Sequence, residues 1–317
     1  MFDALMRFWV DTSGALYEGT AQPALYALGL MRWADRVQEW IDFALLGLVQ
    51  IVLVFAVCRP LEALRPVEAV VDGKAVWTDV LYTLLAKLGL LPLLAFVLLS
   101  GAERWMNGLL ADADLVPPTL ESLIPGLREM PLLALLLYAV ILDFGEYWRH
   151  RLQHSLPWWY ALHSVHHAQR QMTFWSDDRN HLLDDVIAGL WFGAVALLIG
   201  VPPVQFVLIV MLRQLAESLS HANLRLDYGS LGERLLVSPR FHRLHHGELS
   251  AGATGRNYAV VLPIWDWIFG TADFDRQHYP RTGDPGAPEA LATGGWGTQQ
   301  VVGLQQMFRA LRGDRKA

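Results

Sequence analysis

Four apolar runs divide this chain, and they decide what it can fold into. Ile41 to Val57 carries one charge, Asp42, and Asp79 to Ser100 carries Lys87 in an otherwise apolar stretch. Pro131 to Tyr147 is apolar until Asp143, and Val186 to Leu219 is interrupted at Gly200 and Pro202-Pro203. A helix rises about 1.5 Å per residue against a hydrocarbon core of about 30 Å, so the first three runs read as spanning helices. The fourth reads as a helical hairpin with its turn at the Gly-Pro-Pro break, each arm about 24 Å long and only marginally able to cross. Over half of the residues are apolar, 18% are charged and the mean hydropathy is +0.28. These values describe a multi-spanning membrane protein rather than a soluble domain. The expected fold class is therefore all-α, a multi-pass transmembrane helical protein with a histidine-rich metal-binding cap. Three regions follow: an N-terminal interfacial segment over 1–40, a membrane-embedded domain over 41–275 and a polar tail over 276–317. Met31 to Trp40 reads either as an interfacial amphipathic helix or as a soluble N-terminal one.

The formal net charge of -6 offers no basic footprint for nucleic acid. The one cysteine, Cys58, excludes an intramolecular disulfide and a cysteine metal cage. No removable signal peptide is expected from MFDALMRFWVDTSG.

Chemistry concentrates in the histidines. Of 11, eight fall in three short boxes: His150 and His154; His163, His166 and His167; His242, His245 and His246. His150 and His154 are four apart, so on a helix both rings leave the same face. In each HxxHH box the adjacent pair diverges, so its members can serve the two different metals of a dinuclear site. Crowding this many titratable rings beside apolar runs costs desolvation unless something coordinates them. Neutral imidazole suits iron, zinc, copper or nickel, so ligand type alone does not name the metal. His221, just after the hairpin, and His181, in RNHLLDD, are further candidate ligands, whereas His278 reads as a surface residue. Asp143 and Glu146 precede His150 on its own stripe and are candidates to accept the spare ring N–H of a ligand. Trp191 and Phe192 are candidates for a substrate slot between the third span and the hairpin. Trp148, Trp158, Trp159 and Tyr160 read as an interfacial belt. Arg149, Arg151, Arg170, Arg179, Arg240 and Arg243 flank the boxes, and by the positive-inside rule the boxes face the cytoplasm.

Taken in order, DFGEYWRHRLQH, WYALHSVHHA, HANLRLDYG and SPRFHRLHHG followed by NYAVVLPIWDWIFGT resemble the fatty acid hydroxylase/sterol desaturase superfamily. The resemblance covers about residues 130–275. It implies a membrane-embedded enzyme with two iron ions, using O2 and electrons to hydroxylate or desaturate a lipid: a fatty acyl chain, a sterol-like ring or an aminolipid. It carries ligand roles to His221 and His181, although His181-Leu182-Leu183-Asp184 stands where many members have His-Pro-Leu-Glu; Asp184 is then a supporting carboxylate. No fused cytochrome-b5-like stretch is evident, so electrons are expected from a separate donor, a cytochrome b5-like protein, a ferredoxin or a reductase. Arg-rich, Lys-poor composition points to a bacterial inner membrane. A reading of another class is a histidine-rich membrane metal-binding or transport protein, which predicts charged pathways through the spans; the spans are almost free of such groups.

Overall fold

The computed structural model describes residues 2–89, 108, 112, 118–248, 255–275 and 277–313. Among these the chain is helical without strands; one isolated bridge pairs Gly247 with Thr282. It divides into two compact units, Met1–Leu53 with Leu84–Gly101, and Val54–Thr83 with Ala102–Ala317. The second holds every histidine.

In the first unit, α1 (Phe2–Leu16) continues through a π turn into α2 (Gln22–Ala27). The long α3 (Ala34–Leu64) then begins. Met31 to Trp40 is thus not a separate interfacial helix: a 3-10 turn, Met31–Trp33, leads straight into the first turns of α3. Nor does Arg59-Pro60 end that helix. Pro60 lies inside it, and the helix continues to Leu64, with Arg65 N–H donating to the Leu61 carbonyl at 3.0 Å. A proline forfeits only its own backbone bond, and this one sits near the end of the helix. The helix α4 (Gly73–Lys87) takes up the start of the expected second span; from Leu90 on, that span lies outside the described residues, as does half of the 101–130 loop.

After the short α5 (Leu120–Leu123) come the helices that build the site. They are α6 (Pro131–Ser155), α7 (Pro157–His167), α8 (Leu182–Leu198), α9 (Pro203–His221), α10 (Gly229–Leu235) and α11 (Pro239–His245). Proline opens α6, α7, α9 and α11, where its missing N–H costs nothing because the first turn has no acceptor for it. α8 and α9 form the hairpin. Gly200 makes its turn at φ +61°, a left-handed conformation that a side chain would strain. Leu127, Ala134, Tyr138, Leu142, Phe192, Ala196 and Ile209 form the apolar cluster joining α6 to both arms. α6 and α8 lie in close contact at Gly145, whose carbonyl accepts from Trp191 Nε1 at 2.9 Å and where a Cβ would meet Val195 at 3.3 Å.

Two described helices, within Met31–Leu64 and Pro131–Ser155, are long and apolar enough to cross a membrane. Their outward residues are apolar: Val52 and Phe55 on α3, and Leu132, Leu136 and Val140 on α6, are exposed. Arg149 pairs with Glu146, Arg179 with Asp79, Arg240 with Glu233 and Arg243 with Glu68, all four arginines being buried. These charges are spent inside the fold and say nothing about which side of a membrane they face.

The C-terminal region is part of the packed unit. After α12 (Ile264–Ile268) and α13 (Glu289–Thr293), α14 (Trp296–Leu311) lies along α7, the helix of the second histidine box. Met307 packs against Ala161 and Leu162. Gln300 accepts from Leu182 N–H (2.7 Å), and its Nε2 donates to Tyr82 Oη (3.0 Å) and the Asn180 carbonyl (3.1 Å). Gln300→Ala should destabilise the protein by about 1 kcal/mol, because it orphans a half-buried helix-start N–H; an unchanged denaturant midpoint would show that α14 does not fasten this end of α8.

Candidate metal centre

The three boxes and His221 meet in the fold. His150 and His154 stand on α6, His163, His166 and His167 on α7, His221 ends α9, and His242 and His245 on α11 are followed by His246 at its C-cap. The rings sort into two groups, His150, His154, His163, His167 and His245, and His166, His221, His242 and His246. Within each group one ring nitrogen from every member lies within 4.8 Å of all the others. Both HxxHH boxes split between the groups: His166 parts from His167, and His245 from His246. The two groups adjoin, with the His167 and His246 rings stacked at 4.4 Å.

The outer nitrogens explain the inward ones. Backbone carbonyls can only accept, so each Nδ1 facing one must carry the proton. His150 donates to the Tyr258 carbonyl (2.7 Å), His245 to Arg256 (2.8 Å), His221 to Glu217 (2.8 Å) and His166 to Arg179 (3.3 Å). His163 donates to the Asp184 carboxylate at 3.2 Å. The lone pair of each of these rings is then left on Nε2, facing the group's interior. There Nε2 atoms meet at 3.2 Å (His166–His221), 2.9 Å (His221–His242) and 3.1 Å (His167–His245). His154 Nε2 and His163 Nε2 are buried with no hydrogen-bond partner among the described residues. Converging, buried, partnerless lone pairs fit a cation of borderline softness in each group.

Electrostatics agree. Burial, followed by the neighbouring rings, holds His166, His167, His242 and His246 well below the usual imidazole range. His245 is lowered to about 3, again by burial first. These five rings are neutral at ordinary pH, the form that ligates metal.

Not every expected role is kept. His181 joins neither group. Its Nδ1 accepts from Leu183 N–H (3.1 Å) as the cap of α8, and its Nε2 donates to the Gln300 carbonyl (2.8 Å), so both nitrogens are used structurally. Asp143 does not touch a histidine either; it accepts from the Val261 and Leu262 N–H groups (3.0 and 3.1 Å) and Trp265 Nε1 (2.9 Å). Glu146 is engaged by Arg149 and Arg213. Asp184 does support a ring: besides His163 it accepts from Gln153 Nε2 (2.8 Å) and Trp159 Nε1 (2.7 Å), which draws buried Trp159 out of the expected surface belt. Trp191 pins α8 to α6, and Phe192 belongs to the apolar cluster. His278 is exposed.

Two contributors escaped the sequence reading. Asp266 accepts from the Tyr258 and Ala259 N–H groups (2.8 and 2.7 Å), fixing the carbonyl that holds His150. Asn257 adopts φ 56°, a left-handed conformation that Asn tolerates, and its amide bonds the Phe241 and Asp273 carbonyls. Only the NYAVV…WDW text marked them, without saying what they hold.

The fatty acid hydroxylase family matches residues 135–271, the stretch that contains all nine grouped histidines. That stretch belongs to the fatty acid hydroxylase family. Alkylglycerol monooxygenase from Danio rerio is 35% identical over 129 residues, 41% of this chain and 28% of that protein; the Homo sapiens protein is 32% identical over 135 residues, 43% and 29%. Ornithine lipid hydroxylase OlsE from Rhizobium tropici is 27% identical over 93% of this chain and 85% of its own length. The chain therefore spans under a third of the alkylglycerol monooxygenases it resembles. No solved structure matches it.

Two predictions follow from the ring geometry. An unfolded histidine titrates near about 6.5, whereas these stay neutral when folded, so below that pH the unfolded chain binds protons that the fold excludes. Stability and metal retention should be full above about pH 6.5 and fall progressively as pH drops toward 3; equal denaturant midpoints at about pH 7.5 and pH 5 would contradict this. Asp184→Asn should weaken metal binding roughly 10- to 100-fold in chelator competition, by removing the carboxylate that orients His163.

Proposed function

We propose that the protein is a membrane-bound dinuclear iron oxygenase that hydroxylates an unactivated C–H bond of a lipid, with O2 as co-substrate and electrons from a separate donor protein. The observation that carries this reading is the pair of adjoining, buried, all-histidine groups at the end of an apolar helical bundle. Relatives named as monooxygenases and a hydroxylase, two of them acting by name on alkylglycerol and on ornithine lipid, support the reaction class and the lipid. Nine histidines, His150, His154, His163, His166, His167, His221, His242, His245 and His246, would hold the two ions; His181 would not. Iron, when bound, supplies O2 activation and the cleavage of the C–H bond. The chain's own part is to fix nine rings in one tautomeric arrangement, keep bulk water away and bring an acyl chain to them from the apolar side. The protein would sit in a bacterial inner membrane, as the match along nearly all of the Rhizobium protein supports, with the cage toward the cytoplasm and exposed Arg170, Arg225 and Arg234 on its cap.

Purified protein should contain about two transition-metal ions per chain, one for each group. His245→Ala should deplete the five-ring group and His242→Ala the four-ring group, each lowering the metal content. In cells, expression should produce a lipid bearing one added oxygen. A lipid lacking two hydrogens would identify a desaturase with the same cage, and a protein that stays folded and metal-free would contradict the whole reading.

A further inference from the structure

One helical turn from the cage, on the side of the apolar cluster, α6 and α9 bring four charged side chains together. Glu146 accepts from Arg149 Nε and Nη2 (3.1 and 2.9 Å) and from Arg213 Nη1 (3.3 Å). The same Arg213 nitrogen donates to Glu217 at 2.9 Å. Glu146 precedes His150 by four residues and Glu217 precedes His221 by four, so each lies about 6 Å along its helix from a histidine, and those two histidines belong to the two different groups. On the far side lie Leu142, Phe192 and Ile209, with the Arg213 guanidinium carbon 5.2 Å from the centre of the Phe192 ring.

Charges are expensive in such surroundings, and a strut between two helices could be apolar at less cost. Two features separate this network from a strut. Arg213 Nε is buried and has no acceptor among the described residues, so a fixed donor is left over after both carboxylates are engaged. Arg213 is also flanked by two carboxylates, those of Glu146 and Glu217. An anionic group brought beside Arg213 would add an uncompensated negative charge next to Glu146 and Glu217, whereas a neutral oxygen would satisfy the donor without one.

We propose that Arg213, held by Glu146 and Glu217, receives a neutral acceptor oxygen of the lipid, an ether, ester or amide oxygen, and thereby sets which carbon of the chain reaches the histidine cage. This rests on the lipid reading above and deepens it: the substrate carries an uncharged oxygen within the apolar bundle and is not recognised as plain hydrocarbon. Arg213 is here a binding and positioning residue, not a metal ligand.

The test uses the full-length, metal-loaded protein in detergent and two radiolabelled probes of equal chain length, hexadecanamide and hexadecane. The wild type should prefer the amide by roughly ten- to a hundredfold, the worth of one hydrogen bond from a charged donor. In Arg213→Lys the charge between the two carboxylates remains but the N–H along the stem is gone. That variant should lose the preference while keeping its metal content and its affinity for hexadecane; the charge-balanced double variant Arg213→Met with Glu217→Gln should behave alike. A wild type that binds both probes equally, or a lysine variant that keeps the preference, overturns the proposal. So does a lysine variant that loses its metal, which would make Arg213 a strut. Failure of the wild type to bind either probe overturns the lipid reading along with it.

Discussion

Nine imidazole nitrogens aimed at two small volumes are a repulsive arrangement, and the rest of the described fold serves to hold them there. Each ring that donates its Nδ1 proton outward to a carbonyl or to Asp184 leaves a lone pair facing inward, against the lone pairs of its neighbours. A lone pair buried without a partner costs free energy, and burial also prevents relief by protonation. A cation in each group turns the same geometry from a cost into a gain. The balance can be struck only if the scaffold resists the outward relaxation of every ring.

That resistance comes from parts of the chain that never touch a ring nitrogen's inner face. Asp143 and Asp266 clamp the backbone around Val261 and Tyr258, so that two carbonyls, those of Arg256 and Tyr258, stand ready for His245 and His150. Asn257, between them, takes the left-handed conformation that lets both carbonyls serve. The buried Arg179–Asp79 pair fastens the segment whose Arg179 carbonyl holds His166. α14 closes the outside of α7 and ties His181 and Leu182 to the same frame. Arg149, Arg179, Arg240 and Arg243, which flank the boxes, are in this sense structural.

The two ring groups were legible in the sequence because helical spacing is a strong geometric statement. His150 and His154 at four residues, and HxxHH on a helix, leave few arrangements, and the hairpin had to bring His221 back to the same end. The hairpin turn was equally legible, Gly200 and two prolines allowing little else. Partners that depend on tertiary contact were not. Asp143 and Glu146 share the stripe of His150, yet a side chain one or two turns away is as free to face a neighbouring segment as a ligand, and here both do. His181 carries the residue type and the chain position of a ligand; only the arrival of α14, far away in sequence, shows its second nitrogen to be occupied. Backbone carbonyls, the commonest outer partners in this cage, leave no mark in a sequence at all.

The central claim is that two adjoining cations are held by imidazole alone. X-ray absorption at the metal edge of the protein purified with its native metal tests it most directly. The account predicts a first shell of light N/O donors with the outer-shell pattern of several imidazoles, at about two ions per chain. Sulfur donors, a shell without the imidazole pattern, or folded protein without metal would contradict it.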